Sequence, residues 1–399
     1  MNMETPDSAL RARPSSRAAA EDSSASTSAT QTFQIAVLPG DGIGHEVMIE
    51  AVRVLDVALS RFPAIRLQLQ EFPAGADEYL RHGDPLPDAT MAGCGAADAI
   101  LLGAMGLPNV RWPDGREMAP QLDLRERLDL YCGLRPIRLY HAADTPLKRY
   151  EAGQIDLLIV RENTEGLFSS RLARTPPGAS VVEDVLRISR TGTERLFRAA
   201  FGEARKRRKK VTLVDKANVL PSMVFFRSIF DEVAREFPDV EAQRTYIDAA
   251  ALYLVQRPET FDVLVTENMF GDILSDLAAG LVGGMGLAPS ADIGDRAAVF
   301  QPSHGTAPDI AGRGIANPLA MIDKAEQFLR ERGLKNLRVR YHGGDLARIE
   351  VPLADLPRLC ETDLRRELTA ELRRLGFKFV TLDLEGFRSG SLNQLVQIQ

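Results

Sequence analysis

The chain has 399 residues, 45% of them apolar and 26% charged, with a formal net charge of −6. At roughly 100–200 residues per domain this length suggests two or three domains, and the composition excludes a collagen-like, coiled-coil or wholly disordered chain. The acidic balance argues against nucleic-acid partners, and without a run of about 18 uncharged apolar residues no membrane-spanning helix is expected.

Residues 1–32 are rich in Ser, Ala and Thr and have no apolar periodicity, so they are expected to be disordered. Arg11, Arg13 and Arg17 raise the question of a transit peptide, but four acidic residues and the missing apolar segment argue against one. From residue 33 short apolar runs alternate with helical patterns. The run 33–39 (FQIAVLP) reads as a buried strand ending in the turn 40–44, and Val47, Val54, Leu55 and Ala58 mark the helix that follows. Further strands are expected at 97–105, 155–162, 209–216 and 261–268, with helices at 193–208, 221–236 and 271–282 among them. This alternation indicates an α/β fold with a largely parallel sheet, whose ligand sites lie beyond the carboxyl ends of its strands. The basic run 205–210 reads as a nucleic-acid patch or, more simply, as the solvated end of a helix. Cys94, Cys132 and Cys360 are far apart and lack zinc-type spacing, which fits a reduced cytoplasmic enzyme.

The sharpest chemical signal lies in 268–276 (NMFGDILSD). Asp272 and Asp276 are four apart on an expected helix and share a face. They either hold a hard divalent cation such as Mg²⁺ or Mn²⁺, or are solvated acids near a helix N-terminus. Asp248 is open to two readings, a helix cap or a third metal ligand. Lys216 ends an apolar strand, where it needs an ion pair with Asp215 or another acid, or a role in moving a proton. Arg125, Arg135 and Arg161 interrupt apolar sequence. Each alone suits a structural ion pair, and the three together would bind a di- or tricarboxylate. The loop 302–312 offers His304, Gly305 and Asp309, an acid able to bind ribose hydroxyls. The 40–44 turn does not match GxGxxG, so no Rossmann fingerprint is present.

These segments together resemble the β-decarboxylating dehydrogenases, the isopropylmalate, isocitrate, homoisocitrate and tartrate/D-malate enzymes, from about residue 34 to 322. The resemblance is carried by LPGDGIGHE (38–46), LDLRERLDLYCGLRP (122–136), VRENTEG (160–166), VDKANVL (214–220), YIDAAALYLV (246–255), the segment 268–291 and HGTAPDIAGRGIANP (304–318). It implies a two-domain α/β fold with mixed sheets: a cofactor-side domain at 33–130 plus 283–322, and a substrate and dimerisation domain at 131–282 with a dimer-clasping arm near 162–190. It also implies NAD- and Mg²⁺- or Mn²⁺-dependent oxidative decarboxylation of a 2-hydroxy di- or tricarboxylate of the 3-isopropylmalate, isocitrate or tartrate/D-malate type, in a homodimer whose active sites are shared. Asp272 and Asp276 of one subunit and Asp248 of the other would hold the metal. Arg125, Arg135 and Arg161 would hold substrate carboxylates, and Lys216 would reach across the dimer to take the hydroxyl proton. Ile43 and Asn218 would lie near the nicotinamide, with His304, Gly305, Asp309 and Asn317 around the adenosine half.

Three positions depart from the family pattern. Phe168 stands where the family carries a catalytic Tyr that protonates the enol, and Phe at this place also occurs in noncatalytic subunits, so a regulatory homologue is the alternative reading. The segment 119–122 (APQL) before Arg125 matches neither the isopropylmalate nor the isocitrate pattern. Beyond residue 322 the tail instead resembles the C-terminal end of ATP-dependent sacrificial sulfur transferases, in which the positions of Arg338, Arg340 and Glu350 belong to a phosphate- or metal-binding surface. The PP-loop of that group is absent, so the tail by itself is not expected to activate ATP.

Overall fold

The computed structural model describes residues 30–59, 62, 64–174 and 178–322, strands at 338–342, 346–350 and 379–382, and residue 366. The expected disorder of 1–32 lies outside these residues except at 30–32, where Gln31 and Thr32 instead open a strand by pairing with Ile65 and Arg66. In chain order the elements are β1 (Gln31–Gly40), α1 (Gly44–Leu59), β2 (Ile65–Glu71), α2 (Ala76–His82), α3 (Asp88–Ala96), β3 (Ala99–Ala104), α4 (Pro120–Arg127) and β4 (Cys132–Arg138). There follow β5 (Asp156–Glu162), α5 (Arg190–Arg205), β6 (Lys210–Asp215), α6 (Pro221–Ala234), β7 (Glu241–Tyr246), α7 (Ile247–Gln256), β8 (Val263–Thr266), α8 (Asn268–Gly280), β9 (Pro289–Ile293) and β10 (Ala298–Pro302). No helix among the described residues is long and apolar enough to cross a membrane.

All ten strands join one sheet in the order β2-β1-β3-β10-β9-β4-β5-β8-β6-β7. Its flanks are parallel, as strand–helix alternation leads one to expect. Its centre is not: β10–β9, β9–β4 and β4–β5 are antiparallel, so the sheet is mixed. Central strands such as β3 (AILLGA) and β8 (VLVT) are buried throughout, while the edge strands β2 and β7 carry exposed Gln, Glu and Arg side chains that discourage further pairing. On one flank α5 and α6 pack through an aromatic cluster in which Phe197 lies 4.7 Å from Phe226 and 5.3 Å from Phe230, centroid to centroid.

Capping shifts the helix boundaries from those expected. α5 begins at Arg190 because Ser189 Oγ accepts the Gly192 N–H at 3.1 Å, and α8 begins at Asn268 because the Glu267 carboxylate accepts the Phe270 and Met269 N–H groups. The basic run 205–210 is a largely solvated helix end, as expected: α5 ends at Arg205, and Arg205, Lys206, Arg208 and Lys209 are exposed, yet the run is also paired. Arg207 bridges Asp156 and the buried Asp262, Arg205 pairs with Asp239, and Arg208 donates to the Phe261 carbonyl, so the run ties α5 to neighbouring strands and loops. Gly40 at the end of β1 has φ +76°, and a Cβ there would sit 1.9 Å from the Ala104 carbonyl oxygen, so the turn into α1 requires glycine.

In the tail, β11 (Arg338–His342) pairs antiparallel with β12 (Leu346–Glu350), which pairs parallel with β13 (Phe379–Leu382). Arg338, Arg340 and Glu350 fall on these strands, and their side chains lie outside what is described.

Candidate active site

The antiparallel centre of the sheet gathers the polar residues onto one face. Register places Gly133 of β4 opposite Arg161 of β5 on one side and opposite Asp292 of β9 on the other. Directly opposed residues share a face, so Arg161 and Asp292 project together across the gap that glycine leaves. Two residues along, Arg135 and Ser290 lie on that same face, and Ser290 is opposite Gln301 of β10. Above them lie α4 with Arg125 and α8 with Asp272 and Asp276.

Arg125, Arg135, Arg161, Asp272, Asp276, Ser290 and Gln301 line a cavity of about 260 Å³, together with Gln121, Leu122, Phe168, Ser303, His304 and Gly305, while Asp292 lies beneath it. The sequence-derived candidates Arg125, Arg135, Arg161, Asp272, Asp276, His304 and Gly305 therefore share one cavity wall. Lys216, Asp248, Ile43, Asn218, Asp309 and Asn317 do not line it. Ile43 borders the loop that does: its N–H donates to the Thr306 carbonyl at 2.9 Å. Asn218 and Asp309 are exposed on turns, and Asn317 is exposed in the irregular segment that precedes residue 319.

The three arginines are buried, and burying a guanidinium demands partners. Arg161, 3% exposed, pairs with Asp272 and donates from Nε and Nη2 to Asn268 Oδ1 at 3.1 and 2.7 Å. Burial, then the charge of Arg125, lowers its pKa to about 10. Gly271 lets this happen: a Cβ there would come within 2.7 Å of the Arg161 stem, so glycine in α8 admits the arginine against the helix. Arg125 Nε and Arg135 Nη1 donate to opposite oxygens of Asp292 at 2.8 and 3.1 Å. Asn163 and Gln301 complete that carboxylate's partners at 2.9 and 2.6 Å. Burial alone would raise the pKa of Asp292, but the two guanidinium charges and these hydrogen bonds outweigh it and hold the carboxyl far below its usual range.

Asp272 and Asp276 lie one turn apart on α8 beside the cavity. Burial, then the neighbouring charge of Asp272, pushes the Asp276 carboxyl up, so a positive ion between the two would relieve their repulsion. This pair suits a divalent cation but is incomplete alone: among the described residues no three His, Cys, Asp or Glu side chains cluster. Asp248 stands elsewhere. It is not the cap of α7, a place taken by Tyr246, but lies in the first turn and accepts a hydrogen bond from Lys216 Nζ at 2.7 Å. Lys216 does not pair with Asp215, which is buried and held by Arg227.

Three buried polar atoms at the cavity have no protein partner among the described residues: Gln121 Oε1, Ser290 Oγ and His304 Nε2. Burial lowers the His304 pKa, favouring the neutral ring. These atoms fit a polar ligand, and the neutral His304 suits a cofactor at the rim. The adjoining loop is anchored to α1 by Glu46, which accepts N–H groups from Gly312 and Gly314.

Asp292, Asn163, Gln301 and Glu46 are functional neighbours beyond the candidates that the sequence offers. A carboxylate in the short apolar segment 288–293 was as visible as the arginines were, and the same rule on buried charge would have singled it out.

The family described as isocitrate/isopropylmalate dehydrogenase matches residues 34–337, beyond the residue 322 at which the sequence resemblance ends. The 3-isopropylmalate dehydrogenase of Aquifex aeolicus is 43% identical over 306 residues, 75% of this chain and 83% of that protein. The isocitrate dehydrogenase structure from Methylococcus capsulatus superposes with a TM-score of 0.68 at 39% identity, covering 76% of this chain and 86% of that one. A β-decarboxylating dehydrogenase of Thermococcus kodakarensis, solved in its apo form, superposes with a TM-score of 0.63 at 39% identity, covering 75% of this chain and 84% of that one.

Proposed function

The chain belongs to the isocitrate/isopropylmalate dehydrogenase family, and from that premise we propose that it is an NAD- and divalent-metal-dependent enzyme that oxidatively decarboxylates a small 2-hydroxy acid. The observation that carries this reading is the shared cavity wall, in which three buried guanidiniums face two carboxylates one helical turn apart.

In this reading Arg125 and Arg135 hold a substrate carboxylate with the N–H groups that Asp292 leaves over, and Arg161 adds a third cation. Asp272 and Asp276 hold Mg²⁺ or Mn²⁺ with Asp248 of the partner subunit. When bound, the metal supplies Lewis-acid polarisation at the substrate's oxygens and NAD supplies the hydride acceptor. Lys216 of the partner subunit takes the proton of the substrate hydroxyl. His304, Gly305, Asp309 and Asn317 hold the adenosine half of NAD, with Ile43 and Asn218 beside the nicotinamide. Phe168 offers no proton to the enol, so that step falls to water, to Lys216 or to another hydroxyl.

The shared site requires a homodimer. Apolar side chains left exposed in the single chain support this: Val219 in the turn after β6, Leu252 and Val255 of α7 and Ile273 of α8, and Val181, Val182 and Val185 in the segment read as a clasping arm. In the proposed division, residues 33–130 plus 283–322 form the cofactor side and 131–282 the substrate side. The cytoplasm is the proposed compartment.

The test is NADH formation by the purified protein with Mg²⁺ or Mn²⁺ and a panel of 3-isopropylmalate, isocitrate, homoisocitrate, D-malate and tartrate. Metal-dependent NADH from one of them is expected. A flat panel from folded, dimeric protein would instead favour the regulatory homologue that Phe168 brings to mind.

A further inference from the structure

We propose that Asp292 is a specificity-determining positioning residue: by sharing its negative charge between Arg125 and Arg135, it directs the cavity to doubly charged 2-hydroxy dicarboxylates and against triply charged tricarboxylates. This rests on the hydroxy-acid reading given above.

Asp292 lies beneath the cavity on β9, 1% exposed, and accepts hydrogen bonds from Arg125, Arg135, Asn163 and Gln301. It takes only Nε of Arg125 and Nη1 of Arg135, so both guanidiniums keep donors for a ligand while one unit of their positive charge is already matched. Arg161, the third cation, is matched by Asp272. The described lining holds no Lys and no further Arg, and burial keeps His304 towards its neutral form. The unpartnered groups at this wall, Gln121 Oε1 and Ser290 Oγ, are polar but uncharged.

A first substrate carboxylate thus finds the donors left over on Arg125 and Arg135, and a second can share the metal held by Asp272 and Asp276. With Arg161 matched by Asp272 and Lys216 of the partner subunit engaged at the hydroxyl, a third meets neutral dipoles and the field of Asp292. In a buried site an unmatched charge is costly, and a fixed carboxylate nearby penalises every added negative charge on the ligand. Asp292 also fixes where the two guanidiniums sit, which a purely structural ion pair would do as well. Selectivity by ligand charge is what separates the two roles.

The experiment measures kcat and KM of the full-length enzyme with Mn²⁺ and NAD, for D-malate and 3-isopropylmalate against isocitrate and homoisocitrate, in the wild type and in Asp292→Asn. The wild type is expected to favour a dicarboxylate. Asp292→Asn keeps the shape and removes the charge, and it should raise the tricarboxylate-to-dicarboxylate ratio of kcat/KM about tenfold, mainly through KM, which corresponds to about 1.4 kcal/mol. Equal loss on both classes of acid would make Asp292 merely structural and overturn the proposal, as would a wild type that prefers a tricarboxylate. Absence of NADH with every acid from folded wild-type dimer would overturn the functional reading itself, and the proposal with it. Asp292→Ser is the second neutral variant, and if neither variant folds the wild-type ranking of the acids decides.

Discussion

Lys216 Nζ donates to Asp248 Oδ1 over 2.7 Å, joining the end of β6 to the first turn of α7. Lys216 is 28% exposed and Asp248 69%, and neither lines the chain's own cavity. An exposed pair of this kind contributes little to stability, so fold stability gives little reason for the pairing. The two side chains are available to a second subunit.

Sharing of the site predicts complementation. Homodimers of Lys216→Met and of Asp272→Asn should both be inactive. In a mixed dimer of the two, one site combines the intact Asp272 of the first chain with the intact Lys216 of the second. Mixed dimers should therefore recover about half the activity of wild type, since one site in two is complete. No recovery from verified mixed dimers would show that each site is built within one chain.

Removal of one carboxylate of the proposed metal site should abolish both turnover and stabilisation by metal. With Mn²⁺ at a hundredfold excess over its Kd, binding raises stability by about 2.7 kcal/mol. A thermal-unfolding series should show Tm rising with Mn²⁺ in the wild type and staying flat in Asp272→Asn. Because Asp272 also pairs with Arg161, the metal-free Tm of the variant is expected to fall slightly. Full activity in Asp272→Asn would remove the metal-dependent reading.

Phe168 lines the cavity with its ring centroid 5.3 Å from the Arg161 guanidinium carbon. A phenol in that place would meet a cation that favours proton release. General acid help is typically worth about 10²–10⁴ in rate. Phe168→Tyr should therefore raise kcat at least tenfold if enol protonation limits turnover, with KM little changed. An unchanged kcat, read in single-turnover kinetics, would assign the limiting step elsewhere.

Asp292 makes the folded state acid-sensitive in a defined direction. Burial would raise its pKa, but Arg125 and Arg135 hold it far below that of an unfolded carboxyl, about 3.9. Between the two values the unfolded chain binds the extra proton, so stability rises with pH there. The contribution is complete above the unfolded value and is lost as pH falls through the folded one. Urea unfolding as a function of pH should show this decline from about pH 4 downward in the wild type, and a shallower decline in Asp292→Asn. Parallel slopes would show that the carboxyl is not ionised in the fold.

The strand–helix alternation, the apolar runs and the placement of chemistry near strand ends were legible in the sequence, because period and burial are local properties of the chain. Buried strands such as β3, β6 and β8 lie within the runs that mark them, and the resemblance at 34–322 falls within the family match at 34–337. The chemistry of Arg125, Arg135 and Arg161 was legible too, since a guanidinium in an apolar run must find an anion. Which anion it finds is not a local property. Only the antiparallel pairing of β9, β4 and β5 sets Asp292, Gly133 and Arg161 in one row, and only that row shows that two of the arginines share a carboxylate supplied from more than 150 positions away in the chain. The same holds for the basic run 205–210: its place at a solvated helix end was legible, and its partners Asp156, Asp239 and Asp262 were not. Sequence determines which residues need partners, because desolvation and charge are carried by the residue itself. Tertiary structure decides which partner each receives, because register and the meeting of distant strands are set by the packing of the whole sheet.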